Sequence, residues 1–356
     1  MERKDAMTGA LFAPLSVLPE LLLPWYAQNA RDLPWRRDRE PYHVWLSEIM
    51  LQQTRVEAVR GYYLRFLTAL PDIPALASAE PELLNKLWEG LGYYSRVRNL
   101  RTAAQQIMTD WGGEFPTDYA AIRALRGVGD YTAGAIASIC FDLPTPAVDG
   151  NVLRVVSRLT GDCRSVSDAG TRAEIREALR EVYPLGRCGA FTQALMELGA
   201  VVCVPNGAPD CAGCPAGGVC RSRAGDWRRL PVRAEKKPRR QETLTVLVLH
   251  CDGRIALRRR KAHGLLAGLW ELPNVPGCLS AAQTVALAED WGLHPGELLG
   301  ETERRHIFTH VEWNMHCCHL RCREMPPEFV WAGPALLREK YALPTAFRKC
   351  LISDMQ

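Results

Sequence analysis

Through residues 15–224 apolar side chains recur at spacings of three and four, most clearly over 44–59, 82–88, 95–111 and 171–182. That period predicts amphipathic helices, and no alternating pattern competes with it there. The pattern changes after residue 242: 243–250 is a β-rich run, Cys251-Asp252-Gly253 has turn composition, and the strand character resumes at 255–257. Residues 279–291 return to the helical period, and 305–320 reads as strand. Between the two patterns, Arg228, Arg229, Arg233, Lys236, Lys237, Arg239 and Arg240 face few acids and are interrupted by two prolines, as in an extended linker. Such charge can follow a phosphate backbone or keep a hinge solvated and extended. The predicted architecture is an all-α domain over residues 1–225, a basic linker over 226–241 and an α+β domain over 242–356.

A length of 356 residues agrees with about two domains, each large enough for its own core. With 47% hydrophobic and 24% charged residues the chain belongs with globular rather than disordered or fibrous proteins. No apolar run approaches the ~18 residues that span a bilayer, and Glu2, Arg3, Lys4 and Asp5 precede no secretory apolar segment. The expectation is therefore an intracellular protein without a membrane partner. A net charge of +4 is too small by itself to require a polyanionic partner. Thirteen cysteines include four within eighteen residues, which in a reducing compartment points to metal ligation before disulfides.

Those four, Cys203, Cys211, Cys214 and Cys220, follow C-x7-C-x2-C-x5-C. Four thiolates in so short a loop can surround one zinc ion or a [4Fe-4S] cluster. A zinc ribbon usually pairs two C-x2-C knuckles, and only one is present, which favours iron and sulfur. In the segment 121–140, Leu125-Arg126-Gly127-Val128-Gly129 separates two helical stretches. Its glycines permit a tight turn that can aim amides at the start of the second helix toward a phosphate, a helix-hairpin-helix arrangement; a plain connecting turn has the same composition. Asp149 precedes the apolar-periodic run 152–159, where an N-cap is the default role, although a carboxylate there can also face a developing cation. Glu48 shares a helical face with Val44, Trp45 and Leu51. Burial would raise its pKa toward that of a general acid at neutral pH, while a purely structural acid would look alike.

Trp45 to Val56 and Gly90-Leu91-Gly92-Tyr93-Tyr94-Ser95-Arg96, taken with the Leu125 to Thr132 turn, Pro146 to Leu159 and the cysteine loop, resemble the adenine-specific mismatch DNA glycosylase (MutY) family of the helix-hairpin-helix superfamily. The resemblance spans nearly the whole chain. It implies a six-helix-barrel domain and a [4Fe-4S] domain followed by a Nudix-like domain, acting on double-stranded DNA that contains 8-oxoguanine:adenine or guanine:adenine mispairs. By that resemblance Glu48 protonates the flipped adenine and Asp149 stabilises the oxocarbenium sugar or its adduct, with Tyr131 and Asn151 in support. Trp35, Arg36 and Gln193 would line the base pocket. Gln53 and Tyr93 would wedge into the duplex, with Thr54 and Leu91 of the same motifs also at the DNA. Gly127, Val128 and Gly129 would bind a phosphate. Related glycosylase-lyases carry a lysine where this chain has Tyr131, so a monofunctional enzyme is expected.

Two departures stand out. The family usually has six residues between its first two cluster cysteines, and this chain has seven, 204–210. Gly268-Leu269-Trp270-Glu271-Leu272-Pro273 resembles the entry to a Nudix box, yet 282–291 contributes only Glu289 and Asp290, too few carboxylates to hold Mg2+ for phosphohydrolysis. The C-terminal domain should then recognise rather than hydrolyse, and Phe308-Thr309-His310 matches the family's loop that reads 8-oxoguanine. His306, His310, His316, Cys317, Cys318, His319 and Cys322 also invite a zinc reading, but alternation along one strand scatters them over both faces. Alternatives for the whole chain are an endonuclease III-like bifunctional enzyme, disfavoured by Tyr131, and a non-catalytic iron-sulfur DNA-binding protein, disfavoured by the two carboxylates. The expected protein is a monomer, cytoplasmic and nucleoid-associated if bacterial.

Overall fold

The computed structural model describes residues 10–235 and 238–351, so Glu2 to Asp5 and the linker residues Lys236 and Lys237 lie outside the described residues. The chain divides into two compact units, residues 1–78 with 99–235, and residues 79–98 with 236–356.

The helices run α1 (Leu18–Asn29), α2 (Pro41–Leu51), α3 (Val56–Ala69), α4 (Ile73–Ser78), α5 (Pro81–Leu87), α6 (Ser95–Asp110), α7 (Tyr119–Ala124), α8 (Asp130–Phe141), α9 (Gly150–Thr160), α10 (Ala169–Arg180) and α11 (Cys188–Glu197), followed by a π turn at Leu198–Val202. The helical period over 44–59 is not one helix, because Gln53 takes a left-handed backbone (φ 59°) between α2 and α3. In the first unit α8 is buried on every side from Thr132 to Ile139, as expected of an apolar helix at the centre of a bundle. Leu18 and Leu22 of α1, Val152, Val155 and Val156 of α9, Ile175 of α10 and Phe191 of α11 form one buried cluster. Among the described residues the stretch Ala10–Asn29 is apolar and long enough to cross a membrane by length and composition. Polar residues interrupt it, so a criterion of unbroken runs passes over it; Leu15, Leu18 and Leu22 are buried in this cluster.

The second unit contains β1 (Arg240–Cys251), β2 (Arg254–Arg259), β3 (Trp270–Glu271), β4 (Asn274–Pro276), α12 (Ala281–Asp290), β5 (Pro295–Ile307), β6 (Val311–Cys322), β7 (Val330–Ala332), α13 (Pro334–Glu339) and α14 (Thr345–Arg348). The sheet order is β3-β2-β1-β6-β5, with β4 also on β1 and β7 on β2. β1 and β6 are parallel, and β1 is buried from Leu244 to Leu249 on both faces, the pattern of a central strand. One face packs Val246, Val248, Trp313 and Met315 against Leu337 and Phe347. The other packs Leu247, Leu249 and Leu320 against Ala288 and Leu293.

Residues 305–320, read from sequence as one strand, are the ends of β5 and β6 joined by a turn at Phe308, Thr309 and His310. Residues 79–98 group with this unit because their polar groups bond into it. Lys86 Nζ donates to the Leu337 carbonyl (2.8 Å), the Leu343 amide donates to Glu89 (2.9 Å), Arg348 also pairs with Glu89, and Arg259 pairs with Glu82 (3.1 Å).

Candidate active site

Within the first unit a cavity of about 520 Å3 is lined by Trp35, Arg36, Glu48, Gln53, Thr54, Tyr131, Asp149, Asn151 and Gln193. Nine sequence candidates from five separate segments thus share one space. Glu48 is carried there by α2, whose other turns bury Trp45, Leu46, Ile49 and Met50. The Glu48 carboxyl is only 6% exposed, and burial pushes its pKa up to about 7. Tyr131, in the first turn of α8, donates its hydroxyl to Glu48 Oε2 at 2.5 Å. Burial holds the Tyr131 phenol well above its ordinary value, so it remains a donor.

Asp149 caps its helix and also lines the cavity. Its Oδ1 accepts the Val152 amide (2.7 Å) as the N-cap of α9, and its Oδ2 accepts Asn151 Nδ2 (2.8 Å) while lining the cavity. Burial raises its pKa; the Val152 and Asn151 bonds and the charge of Arg154 oppose that rise. Arg154 orients the group further, donating to Asn151 Oδ1 (2.7 Å), the Gly199 carbonyl (2.7 Å) and the Cys203 carbonyl (2.8 Å). Gly199 has no substitute here, since a Cβ would meet Asn151 Cβ at 2.7 Å.

Sequence reasoning missed Glu197, Arg31 and Tyr26. Glu197 has a fully buried side chain and accepts Arg31 Nε (2.7 Å) and Arg36 Nη2 (2.7 Å). Burial alone would raise its pKa, but the two guanidinium bonds outweigh it and hold the acid at about 2. Arg36 is therefore anchored as well as pocket-lining. Tyr26 donates to Gln193 Oε1 (3.1 Å), and Trp35 stacks edge-on against Tyr63 (5.5 Å), fixing two more walls. The signal that identified Glu48, an acid inside an apolar stripe, was also present at Leu195-Met196-Glu197-Leu198.

The hairpin forms as expected between α7 and α8. Gly127 (φ 79°) has no room for a side chain, since a Cβ would lie 2.7 Å from Asn99 Cβ. The expectation of a run of outward amides needs correction at Val128, whose side chain is buried and whose amide is taken up by the Leu125 carbonyl (3.1 Å). Arg123 and Arg176 flank the turn on Asp130 (2.6 and 3.1 Å).

Cys203, Cys211, Cys214 and Cys220, all free thiols, line one small pocket with Arg158 and Trp227. Arg158 Nη1 lies 3.4 Å from Cys203 Sγ and 3.0 Å from the Val204 carbonyl. Four converging sulfurs beside a fixed guanidinium fit a group that requires four thiolates. The additional residue in 204–210 is absorbed by Gly207 in a left-handed conformation (φ 80°), with the Asp210 amide returning to the Val202 carbonyl (3.1 Å).

The remaining candidates lie in the second unit around a second cavity of about 660 Å3, lined by Leu91, Tyr93, Phe308, Thr309 and His310. Tyr93 is 45% exposed with a left-handed backbone (φ 47°), and its hydroxyl shares a hydrogen bond with Thr309 Oγ1. Leu91 is buried in the wall of this cavity. Phe308 is folded inward onto His306 (4.5 Å) and Trp313 (4.9 Å), leaving Thr309 and His310 exposed. Glu271, at the Nudix-like entry, is buried and paired with Arg258 and Arg260.

Comparison with known proteins separates an N-terminal from a C-terminal region. A model described as HhH-GPD superfamily base excision DNA repair protein matches residues 46–184, and a NUDIX domain model matches 244–353. Adenine DNA glycosylase of Rattus norvegicus is 36% identical over 82% of this chain and 68% of its own length. That of Mus musculus is 36% identical over 92% of this chain and 76% of its own. The chain belongs to the adenine DNA glycosylase family. It covers 64% of the Homo sapiens relative, to which it is also 36% identical over 82% of its residues. Among solved structures, a thermostable thymine-DNA glycosylase covers 60% of this chain and 97% of its own at TM-score 0.54 and 26% identity. An endonuclease III bound to DNA shares the helical fold, at TM-score 0.50 and 23% identity over 59% of this chain and 95% of its own. Family membership makes the helical unit a base-excision glycosylase domain followed by a Nudix-like domain, and the chain a hydrolase of N-glycosyl bonds.

Proposed function

We propose that this chain removes adenine mispaired with 8-oxoguanine or guanine in double-stranded DNA, without lyase activity. The observation that carries the reading is the pairing of a buried, hydrogen-bonded Glu48 raised to about 7 with Asp149 across the same cavity. Near neutral pH Glu48 retains its proton and can deliver it to a ring nitrogen of the flipped base, making a neutral leaving group. Asp149, held by Val152 and Asn151, supplies negative charge to the cationic sugar. Tyr131 orients Glu48 and carries no amine for a Schiff base.

The four cysteines would hold a [4Fe-4S] cluster, which when bound staples residues 203–220 into one rigid loop. Arg154 and Arg158 connect that loop to α9, and so to the helix capped by Asp149. Gly129 and Arg123 at the hairpin favour a DNA phosphate. The Phe308-Thr309-His310 turn with Tyr93 serves to read the oxidised guanine.

Single-turnover incubation with a duplex bearing one 8-oxoguanine:adenine pair, read as strand cleavage at the adenine, tests this. Cleavage only after alkali is expected. Efficient borohydride trapping of a covalent complex would contradict the monofunctional reading. Binding without excision would favour a non-catalytic DNA-binding protein.

A further inference from the structure

The histidine- and cysteine-rich strand that alternation appeared to scatter contains a ligand cluster once its neighbour is included. In the antiparallel β5–β6 ladder Glu301 faces Cys318 and Glu303 faces His316. Glu301, His316 and Cys318 bring one ligand atom each to within 4.8 Å of one another. His316 Nε2 lies 3.1 Å from Glu301 Oε1, and Cys318 Sγ lies 3.8 Å from that same oxygen. Tetrahedral zinc with ordinary Zn–O, Zn–N and Zn–S lengths sets its nitrogen–oxygen and sulfur–oxygen edges at about 3.3 and 3.6 Å. The cluster therefore needs only small adjustments to close on a metal.

We propose that Glu301, His316 and Cys318 form a zinc site, with water completing the tetrahedron. The surrounding groups support this. Glu303 accepts His316 Nδ1 at 2.7 Å and so fixes the ring; Nε2, turned toward Glu301 and Cys318, donates to Glu301 in the absence of metal and would release that proton to solvent on taking a metal. A carboxylate behind the other ring nitrogen is the usual support of a metal-binding histidine. Cys318 is buried and has Thr284 Oγ1 of α12 at 3.8 Å, while Glu301 is exposed and leaves an entry path. A thiolate, an imidazole and a carboxylate suit zinc better than calcium or magnesium, which prefer all-oxygen sets. The metal would pin the two strands whose turn carries Phe308, Thr309 and His310.

The test is Zn2+ titration of the full-length, cluster-loaded protein against a chelating dye, comparing wild type with His316→Ala and Glu303→Gln. Wild type should take up one equivalent more than His316→Ala. Glu303→Gln, which keeps a hydrogen-bonding side chain behind the ring, should bind that equivalent about tenfold more weakly. Zinc absorption spectroscopy on the extra equivalent should give one sulfur and nitrogen or oxygen neighbours. Equal uptake by wild type and His316→Ala, unchanged affinity in Glu303→Gln, or a four-sulfur spectrum placing the zinc among Cys203, Cys211, Cys214 and Cys220 would each overturn the proposal. If His316→Ala does not fold, the Glu303→Gln affinity and the wild-type spectrum still decide.

Discussion

The two cavities are built by opposite rules. Around Glu48 the ionisable groups are drawn back from water and each is fixed by another: Tyr131 holds Glu48, Asn151 and Val152 hold Asp149, and Glu197 holds Arg36. Around Tyr93 the polar tips are open to solvent, and what is fixed lies behind them, Phe308 on Trp313 and Leu91 in the wall. Proton transfer to a leaving base needs a shifted pKa, and burial provides the shift. Reading a base edge needs donors and acceptors at the surface on a turn that does not collapse. Both sites do share one device, a non-glycine residue in a left-handed conformation, Gln53 in one and Tyr93 in the other. Each stores of order 1 kcal/mol of backbone strain that the neighbouring packing must offset.

The largest effect that would sharpen this contrast is the loss of the acid. Glu48→Gln keeps the shape and the Tyr131 partner but cannot donate a carboxylic proton, so single-turnover adenine excision should fall by about 10^3 with duplex binding retained. An equal fall in binding would make Glu48 structural. Asp149→Asn separates the two roles of that residue. Asn caps a helix as well as Asp does, so stability should change by less than about 0.5 kcal/mol in thermal or denaturant unfolding. Excision should drop roughly 10^2-fold as charge opposite the sugar disappears. Unchanged excision would reduce Asp149 to a cap.

The buried acid also has a cost in stability with a definite sign. Folded Glu48 titrates near 7 against an ordinary value of 4.5. Between those values the folded state keeps a proton that the unfolded state releases, so stability falls as pH rises through the window, by on the order of 3 kcal/mol once above 7. Glu48→Gln removes that fall. The inactive variant should melt above wild type at pH 8, with the gap shrinking toward pH 4.5. A gap that does not change with pH would show that Glu48 is not held protonated. In wild type, excision should decline as pH rises through about 7.

Features set by short stretches were legible in the sequence. The hairpin turn at 125–129, the four cysteines and the acid on the α2 stripe each declare themselves within a few residues, and Asp149 sits where a cap must. What escaped depends on pairing across distance. Glu197 acquires its role only when α11 meets Arg31 and Arg36. The stretch 44–59 kept a helical period across a break, because Gln52, Gln53 and Thr54 carry no glycine or proline to announce it. The Phe308-Thr309-His310 turn is equally unmarked, so two strands read as one and Glu301 was never set beside His316 and Cys318.

The smallest effect, and the one that probes the open cavity itself, concerns that turn. Phe308 does not reach outward; its ring is held by His306 and Trp313, while Arg239 Nε donates to the Phe308 carbonyl (3.1 Å) and Thr309 Oγ1 bonds Tyr93. Phe308→Ala should therefore loosen the presentation of Thr309 and His310 without touching Glu48 or Asp149. The preference for 8-oxoguanine:adenine over guanine:adenine, measured as the ratio of single-turnover rates, should shrink about tenfold, roughly 1.4 kcal/mol, the size of one or two imperfect hydrogen bonds. The guanine:adenine rate should stay where it was. His310→Ala, which removes one exposed side chain and leaves the anchor intact, should cost less, about threefold in the same ratio. If both substrates slow equally, the turn contributes general DNA affinity, and the division between a buried chemical site and an exposed reading site fails.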